Sequence, residues 1–110
     1  MVFNGEVYNH LQIRSEQLRQ KTAWRGTSDT ETILALIERH GFEKSLAAIS
    51  GMFAISVWDE KERVLYLARD RAGEKPLYYG HVNGSFVFSS EPKVFRLLPD
   101  YELRISEEAL

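Results

Sequence analysis

The chain contains no cysteine. That excludes disulfides, thiolate metal sites and a cysteine nucleophile from among its own residues. It also lacks an excess of charge of either sign. Its 14 Lys and Arg stand against 16 Asp and Glu, for a formal net charge of -2. No basic field gathers nucleic acid or anionic lipid, and no charge run is long enough to form a tail. No apolar stretch approaches the roughly 18 residues of a membrane span. Met1 leads into a strand-like segment without the basic start and apolar core of a secretory signal. The expectation is a cytoplasmic protein with neither nucleic acid nor membrane as partner. His10, His40 and His81 have no metal-like spacing, so no metal site is expected within the chain.

What remains is ordinary for a globular domain. Hydrophobic residues make up 44% and charged residues 27% of 110 residues, and a chain of that length holds one domain at most. There is no internal repeat and no low-complexity segment. Met1 to Phe3 reads as the tail of a strand, and Asn4-Gly5 as a turn signal. Asn9 with Gln12 forms a weak capping box for a first helix, with Leu11 and Leu18 on one face. Thr22 to Arg25 reads as a short strand or loop. Ser28-Asp29-Thr30-Glu31 is the strongest helix start, with Ile33, Leu34 and Ile37 as the apolar stripe. His40-Gly41 closes that helix, and a short one follows over Glu43 to Ile49.

From Met52 the period changes. Met52 to Trp58 is a near-continuous apolar strand, Asp59 to Glu62 a polar turn, and Arg63 to Ala68 the return strand. Leu77 to Val82 and Ser85 to Ser89 pair around Asn83-Gly84, a strong hairpin signal. Pro92 suits the first turn of a last helix through Leu98, and Tyr101 to Leu110 begins another strand. Helices thus precede an antiparallel meander whose strands are apolar enough to be covered on both faces.

Two segments carry chemistry. In Phe3-Asn4-Gly5-Glu6-Val7-Tyr8-Asn9, the Asn side chain and the Gly N–H can form an oxyanion hole, although Asn-Gly by itself reads as a turn. In Gly26-Thr27-Ser28-Asp29-Thr30-Glu31, Asp29 can hold a ligand ammonium by a charge-assisted hydrogen bond, although the segment also reads as a plain helix cap. Arg69-Asp70-Arg71-Ala72-Gly73-Glu74-Lys75-Pro76-Leu77 reads as a structured loop with ion pairs between strands. It lacks the glycine spacing of a phosphate cradle. Trp24, Trp58, Tyr66, Tyr78 and Tyr79 read as core or near-core aromatics. Ser89 and Ser90 lack His and Asp partners of triad character, which argues against a serine hydrolase.

Five segments in order resemble the glutaminase domain of the glutamine-hydrolysing asparagine synthetase family. They are Phe3 to Asn9, Arg25 to Glu31, Ser50 to Ile55, Leu67 to Tyr79 and Ser89 to Lys93. The resemblance covers nearly the whole chain. It implies an α/β fold of N-terminal-nucleophile hydrolase type, a four-layer α/β/β/α sandwich of antiparallel sheets, here incomplete. It implies that Asn4 and Gly5 form the oxyanion hole, that Asn4, Gly5 and Glu6 contact glutamine, and that Asp29 holds its α-ammonium. In the family an N-terminal Cys attacks the glutamine amide, with its own α-amino group as base. The ammonia released passes to a C-terminal synthetase domain that uses ATP and Mg²⁺ to amidate aspartate.

The departure from the family is the nucleophile, because Met1 stands where the family has an interior strand residue. Residues 1–110 are therefore expected to be a partial type 2 glutamine amidotransferase domain. Its opening strands, Cys and carboxylate clamp are expected upstream and its synthetase domain downstream. No cofactor is expected in this domain itself. Glutamine and the synthetase domain are the expected partners, and a homodimer is left open. Two other readings are carried: a vestigial scaffold domain without catalysis, and an amidotransferase serving another acceptor.

Overall fold

The computed structural model describes residues 1–21 and 23–98. Contacts divide the chain into two units, residues 1–75 and 76–110. The first unit is a three-stranded antiparallel sheet with helices on one face. Its elements are β1 (Val2–Val7), α1 (His10–Glu16), α2 (Asp29–His40), α3 (Phe42–Ala48), β2 (Gly51–Asp59) and β3 (Val64–Arg69), with sheet order β1-β2-β3. The result is a mixed helix and antiparallel-sheet α/β fold.

β2 is the central strand, and its middle residues Phe53 to Val57 are all buried. Alternation along the strand sends Phe53, Ile55 and Val57 to the helix face. There they meet Val7 of β1 and Ile33 of α2, with Phe3, Ile37, Phe42, Leu46 and Tyr66 packed around them. Phe42 and Tyr66 stack with ring centroids 4.8 Å apart. A second cluster, Ile13, Leu18, Ala35 and Leu36, joins α1 to α2. Leu36 is fully buried, and truncating such a side chain to Ala removes about 2–5 kcal/mol.

Opposite residues of an antiparallel pair share a face. The register therefore collects Val2, Asn4 and Glu6 with Met52, Ala54, Ser56 and Trp58, and with Leu65, Leu67 and Arg69, on the other face. That face carries no helix among the described residues, and Val2 and Trp58 stay exposed on it.

The structure corrects several expectations. Asn4-Gly5 is not a turn, because β1 runs through it to Val7. Gly5 pairs with Phe53 at φ +140, and a Cβ there would run into the Met52 carbonyl oxygen. Gly51 mirrors it, since a Cβ there would strike the Glu6 carbonyl oxygen. These two glycines let β1 and β2 come together. Asn9 makes no cap hydrogen bond. Its side chain donates to Ala48 O (2.9 Å) and accepts from Ser50 N (2.9 Å), pinning the α1 start to the α3–β2 connection. Ile13, not Leu11, is the buried residue of α1, and Leu18 is buried beyond the helix end. On α2 the buried face is Thr32, Ile33, Ala35 and Leu36, while Leu34 is exposed. Of the strand and loop readings offered for the segment after α1, residues 23–25 take the loop.

The second unit holds the hairpin of β4 (Tyr78–Val82) and β5 (Ser85–Ser89), followed by a 3-10 helix over Pro92–Leu97. Asn83 and Gly84 both take positive φ, 49 and 80, as the expected Asn-Gly hairpin turn requires. This hairpin is a separate two-stranded sheet rather than a continuation of the meander. Tyr78 and Tyr79 lie exposed on it, not in a core, and Trp58 in the first unit is likewise exposed. The strand expected over Tyr101 to Leu110 lies outside the described residues.

Gly5→Ala tests the close approach of the two strands. The added methyl meets backbone on β2 and forces a left-handed φ on Ala, so the expected loss is about 2–4 kcal/mol. Chemical denaturation of both proteins measures it, with Gly26→Ala as the control because a Cβ at Gly26 meets nothing.

Candidate functional site

The site begins at the outer edge of β1. Tyr8 N–H donates inward to Ser50 O at 2.7 Å. Val7 N–H points the other way and donates to Asp29 Oδ2 at 2.8 Å. Alternate residues of a strand send their N–H groups to the same edge. Gly5 therefore shares the edge that Asp29 occupies. Asn4 and Glu6 flank Gly5 with their side chains exposed on the open face of the sheet. The four residues singled out from the sequence thus gather along one strand and its edge. They supply an amide donor, a backbone donor and two carboxylates.

Asp29 is the first residue of α2, and the loop before it is held by residues the sequence did not advertise. Ser28 caps the helix as expected, accepting from Glu31 N at 3.4 Å. Glu31 does not reciprocate as a capping box would. Its carboxylate takes the N–H groups of Arg25 (2.7 Å) and Gly26 (3.0 Å) instead. Arg14 of α1 completes the arrangement. Its Nε donates to Thr32 Oγ1 (2.7 Å), Nη1 to Gly26 O (2.8 Å) and Nη2 to Ser28 O (2.9 Å). Its guanidinium lies 3.8 Å from the centroid of the Trp24 ring. Trp24 is thus a platform for a cation. An Arg one turn from the start of a short helix carries no signal of this role, because its acceptors lie 12 to 18 residues away.

A concavity lies elsewhere in the same unit. A cleft of about 600 Å³ opens between α3 and the loop after β3, with Tyr8, Ile49, Phe53, Arg69, Asp70 and Glu74 among its lining. None of Asn4, Gly5, Glu6 or Asp29 lines it. The 69–75 loop is not built on ion pairs, since none joins its residues among the described ones. Asp70 organises it, accepting from Phe53 N (3.1 Å), Glu74 N (3.1 Å) and Lys75 N (3.3 Å). The Arg69 guanidinium lies over Gly73, which has a left-handed φ of +66.

Two carboxyls are shifted. Burial pushes Asp70 up, but the N–H groups of Glu74, Phe53, Lys75 and Gly73 outweigh it and hold the carboxyl below its ordinary value. Glu31 is lowered first by the Arg25 N–H, then, against some desolvation, by the Gly26 N–H and the charges of Arg14 and Lys21. Among the described residues no three His, Asp or Glu stand close enough to hold a metal ion. No helix among the described residues is long and apolar enough to cross a membrane.

A family model described as the glutamine amidotransferase domain matches residues 1–110. Asparagine synthetase [glutamine-hydrolyzing] 1 of Bacillus subtilis (strain 168) is 39% identical over 110 residues, covering 100% of the chain and 17% of that protein. Asparagine synthetase [glutamine-hydrolyzing] 3 of the same organism is 39% identical over 111 residues, covering 100% of the chain and 18% of that protein. Amidase chyE of Penicillium rubens is 38% identical over 106 residues, covering 94% of the chain and 16% of that protein. The chain thus spans about a sixth of the length of these relatives.

The depressed carboxyls set an acid limb for stability. Their ionised forms are favoured by folding, so the stabilisation is complete above the ordinary carboxylate value of about 4 and is lost as pH falls through the lower folded values. Thermal unfolding followed from about pH 7 to about pH 2 should show this contribution to the midpoint steady above about pH 4 and lost below it. Asp70→Asn should unfold at lower temperature near neutrality and show a flatter acid limb. An acid limb as steep as the wild type's would remove Asp70 from this role.

Proposed function

Because the chain belongs to the glutamine amidotransferase domain family, we propose that it forms the glutamine-binding part of a glutaminase that supplies ammonia to an ATP-dependent amidation. The observation that carries this reading is the Asp29 carboxylate, fixed at the edge of the strand that bears Asn4, Gly5 and Glu6. One oxygen of Asp29 is committed to Val7 N–H. The other takes no hydrogen bond among the described residues and accepts from the α-ammonium of glutamine. Glu6 contacts the same substrate. The Asn4 side-chain amide and the Gly5 N–H donate to the amide oxygen of glutamine as it gains negative charge.

An oxyanion donor acts on the transition state more than on the ground state. Asn4 and Gly5 therefore accelerate the attack, while Asp29 and Glu6 select the substrate. The attacking thiolate is not among these 110 residues, which contain no cysteine. The reading requires it from outside them, as the family's N-terminal Cys with its α-amino group as base. Attack on the amide carbon expels ammonia and leaves a thioester, which water cleaves to glutamate. In this reading a second sheet covers the open face and completes a four-layer N-terminal-nucleophile fold, with residues 1–110 as part of that domain. The exposed Trp58 and half-buried Met52, Leu65 and Leu67 on that face support it. The ammonia reaches a companion synthetase domain, where ATP and Mg²⁺ serve the amidation of aspartate. The chain's share of its relatives' length leaves room for such a domain.

Two measurements check the division of labour. The purified 110-residue chain should release no glutamate from glutamine, because it can stabilise an oxyanion but has no thiol to create one. Turnover comparable to that of a complete glutaminase would overturn this. In a full-length protein carrying the domain, Asn4→Ala should lower kcat for glutamine hydrolysis by about 10²–10³ and change KM little. A change in KM alone would make Asn4 a binding residue rather than an oxyanion donor.

A further inference from the structure

We propose that Arg14 is a positioning residue for glutamine recognition, setting the start of α2 so that Asp29 presents its carboxylate at the edge of β1. The inference rests on the reading of Asp29 as the ammonium acceptor. It arises from where the three arms of the guanidinium go. Nη2 reaches the carbonyl of Ser28, the residue before Asp29, at 2.9 Å. Nε reaches Thr32 Oγ1, three residues after Asp29, at 2.7 Å. Nη1 reaches the carbonyl of Gly26 in the approaching loop at 2.8 Å. Asp29 is thus bracketed on both sides by groups tied to one rigid plane.

Geometry, more than charge, is what Arg14 contributes. Its contact with Glu31 is long, 3.9 Å, and the Glu31 carboxylate is already occupied by the N–H groups of Arg25 and Gly26. The guanidinium is planar and presents its donors in a fixed fork, whereas a Lys ammonium is a compact point charge on a flexible stem. A Lys at this position keeps the charge and cannot reach all three acceptors in one geometry. Trp24 holds the plane from its face, at 3.8 Å. Thr32 is fully buried, and its hydroxyl in turn donates to Ser28 O at 3.4 Å. Loosening Arg14 therefore frees the residues on both sides of Asp29 while leaving the Asp29 side chain itself intact.

The test uses a full-length protein that carries this domain and compares wild type, Arg14→Lys and Asp29→Asn. Three quantities are read: KM for glutamine, Ki for the glutamine analogue lacking the α-amino group, and the rate of synthesis with ammonium chloride. The analogue has no ammonium to meet Asp29, so its Ki should not respond to either change. Arg14→Lys should raise the glutamine KM about tenfold, a loss of about 1.4 kcal/mol. It should leave the analogue's Ki and the ammonium-dependent rate at wild-type values. Asp29→Asn should raise the KM at least as far. Unchanged glutamine KM in Arg14→Lys, with Asp29→Asn impaired, overturns the positioning role and leaves the glutamine reading standing. Equal loss of glutamine- and ammonium-dependent rates in Arg14→Lys makes Arg14 a purely structural residue and also overturns it. If Asp29→Asn keeps its glutamine KM, the ammonium assignment itself fails and the inference falls with it.

Discussion

The hydrogen bond from Val7 N–H to the Asp29 carboxylate joins the two halves of the first unit. It ties the outer edge of the sheet to the first residue of its longest helix across 22 residues of sequence. An edge strand presents unpaired N–H groups that would otherwise need water or another chain. Here a charged acceptor takes one of them, and a charge-assisted bond is stronger than a neutral one. The same contact aims α2 across the sheet, so that Ile33 meets Val7, Phe53, Ile55 and Val57. Removing it would cost the core its alignment as well as the edge its partner.

Carboxylates accepting backbone N–H groups are the recurrent fastening of this unit. Asp29 holds Val7, Glu31 holds Arg25 and Gly26, and Asp70 holds Phe53, Glu74 and Lys75. Asp29 joins a helix start to a strand end, while Glu31 and Asp70 secure irregular segments against a helix and a strand. Ion pairs contribute little by comparison: those among the described residues are Arg14–Glu31 at 3.9 Å and the exposed Lys93–Glu91 pair. Exposed pairs of that kind are worth about 0–1 kcal/mol.

What the sequence made legible was whatever depends on local rules. The Ser28 cap, the Gly41 stop, the Met52 to Trp58 strand and the Asn83-Gly84 hairpin follow from capping, left-handed φ and β propensity, each decided within a few residues. The failures fall where partners are distant. Asn9 has a cap residue's chemistry, yet its amide is claimed by Ala48 and Ser50, 39 and 41 residues on. Leu34 fits the helical stripe, but α2 is covered on two sides, and the packing of Ile33 and Leu36 leaves Leu34 outside. Arg14 was invisible for the same reason. The grouping of Asn4, Gly5, Glu6 and Asp29 was legible from the resemblance alone, since nothing local links residue 6 to residue 29.

Asn4-Gly5 shows how a functional and a structural demand can fall on adjacent residues and still be separated. The dipeptide reads as a turn, and the strand contradicts that reading, so another reason for the glycine is needed. Packing supplies it: any side chain at Gly5 collides with the Met52 carbonyl, and Gly51 meets the mirrored constraint from Glu6. Gly5 would therefore be required even in a domain that bound nothing, and its presence does not by itself speak for an oxyanion hole. Asn4 is different. It is exposed beside buried Ala54, its register partner on the central strand, and no packing demand selects an amide there. The functional reading of this strand accordingly rests on Asn4 and Glu6, whose side chains stand exposed, and on the oxygen of Asp29 that Val7 N–H does not occupy.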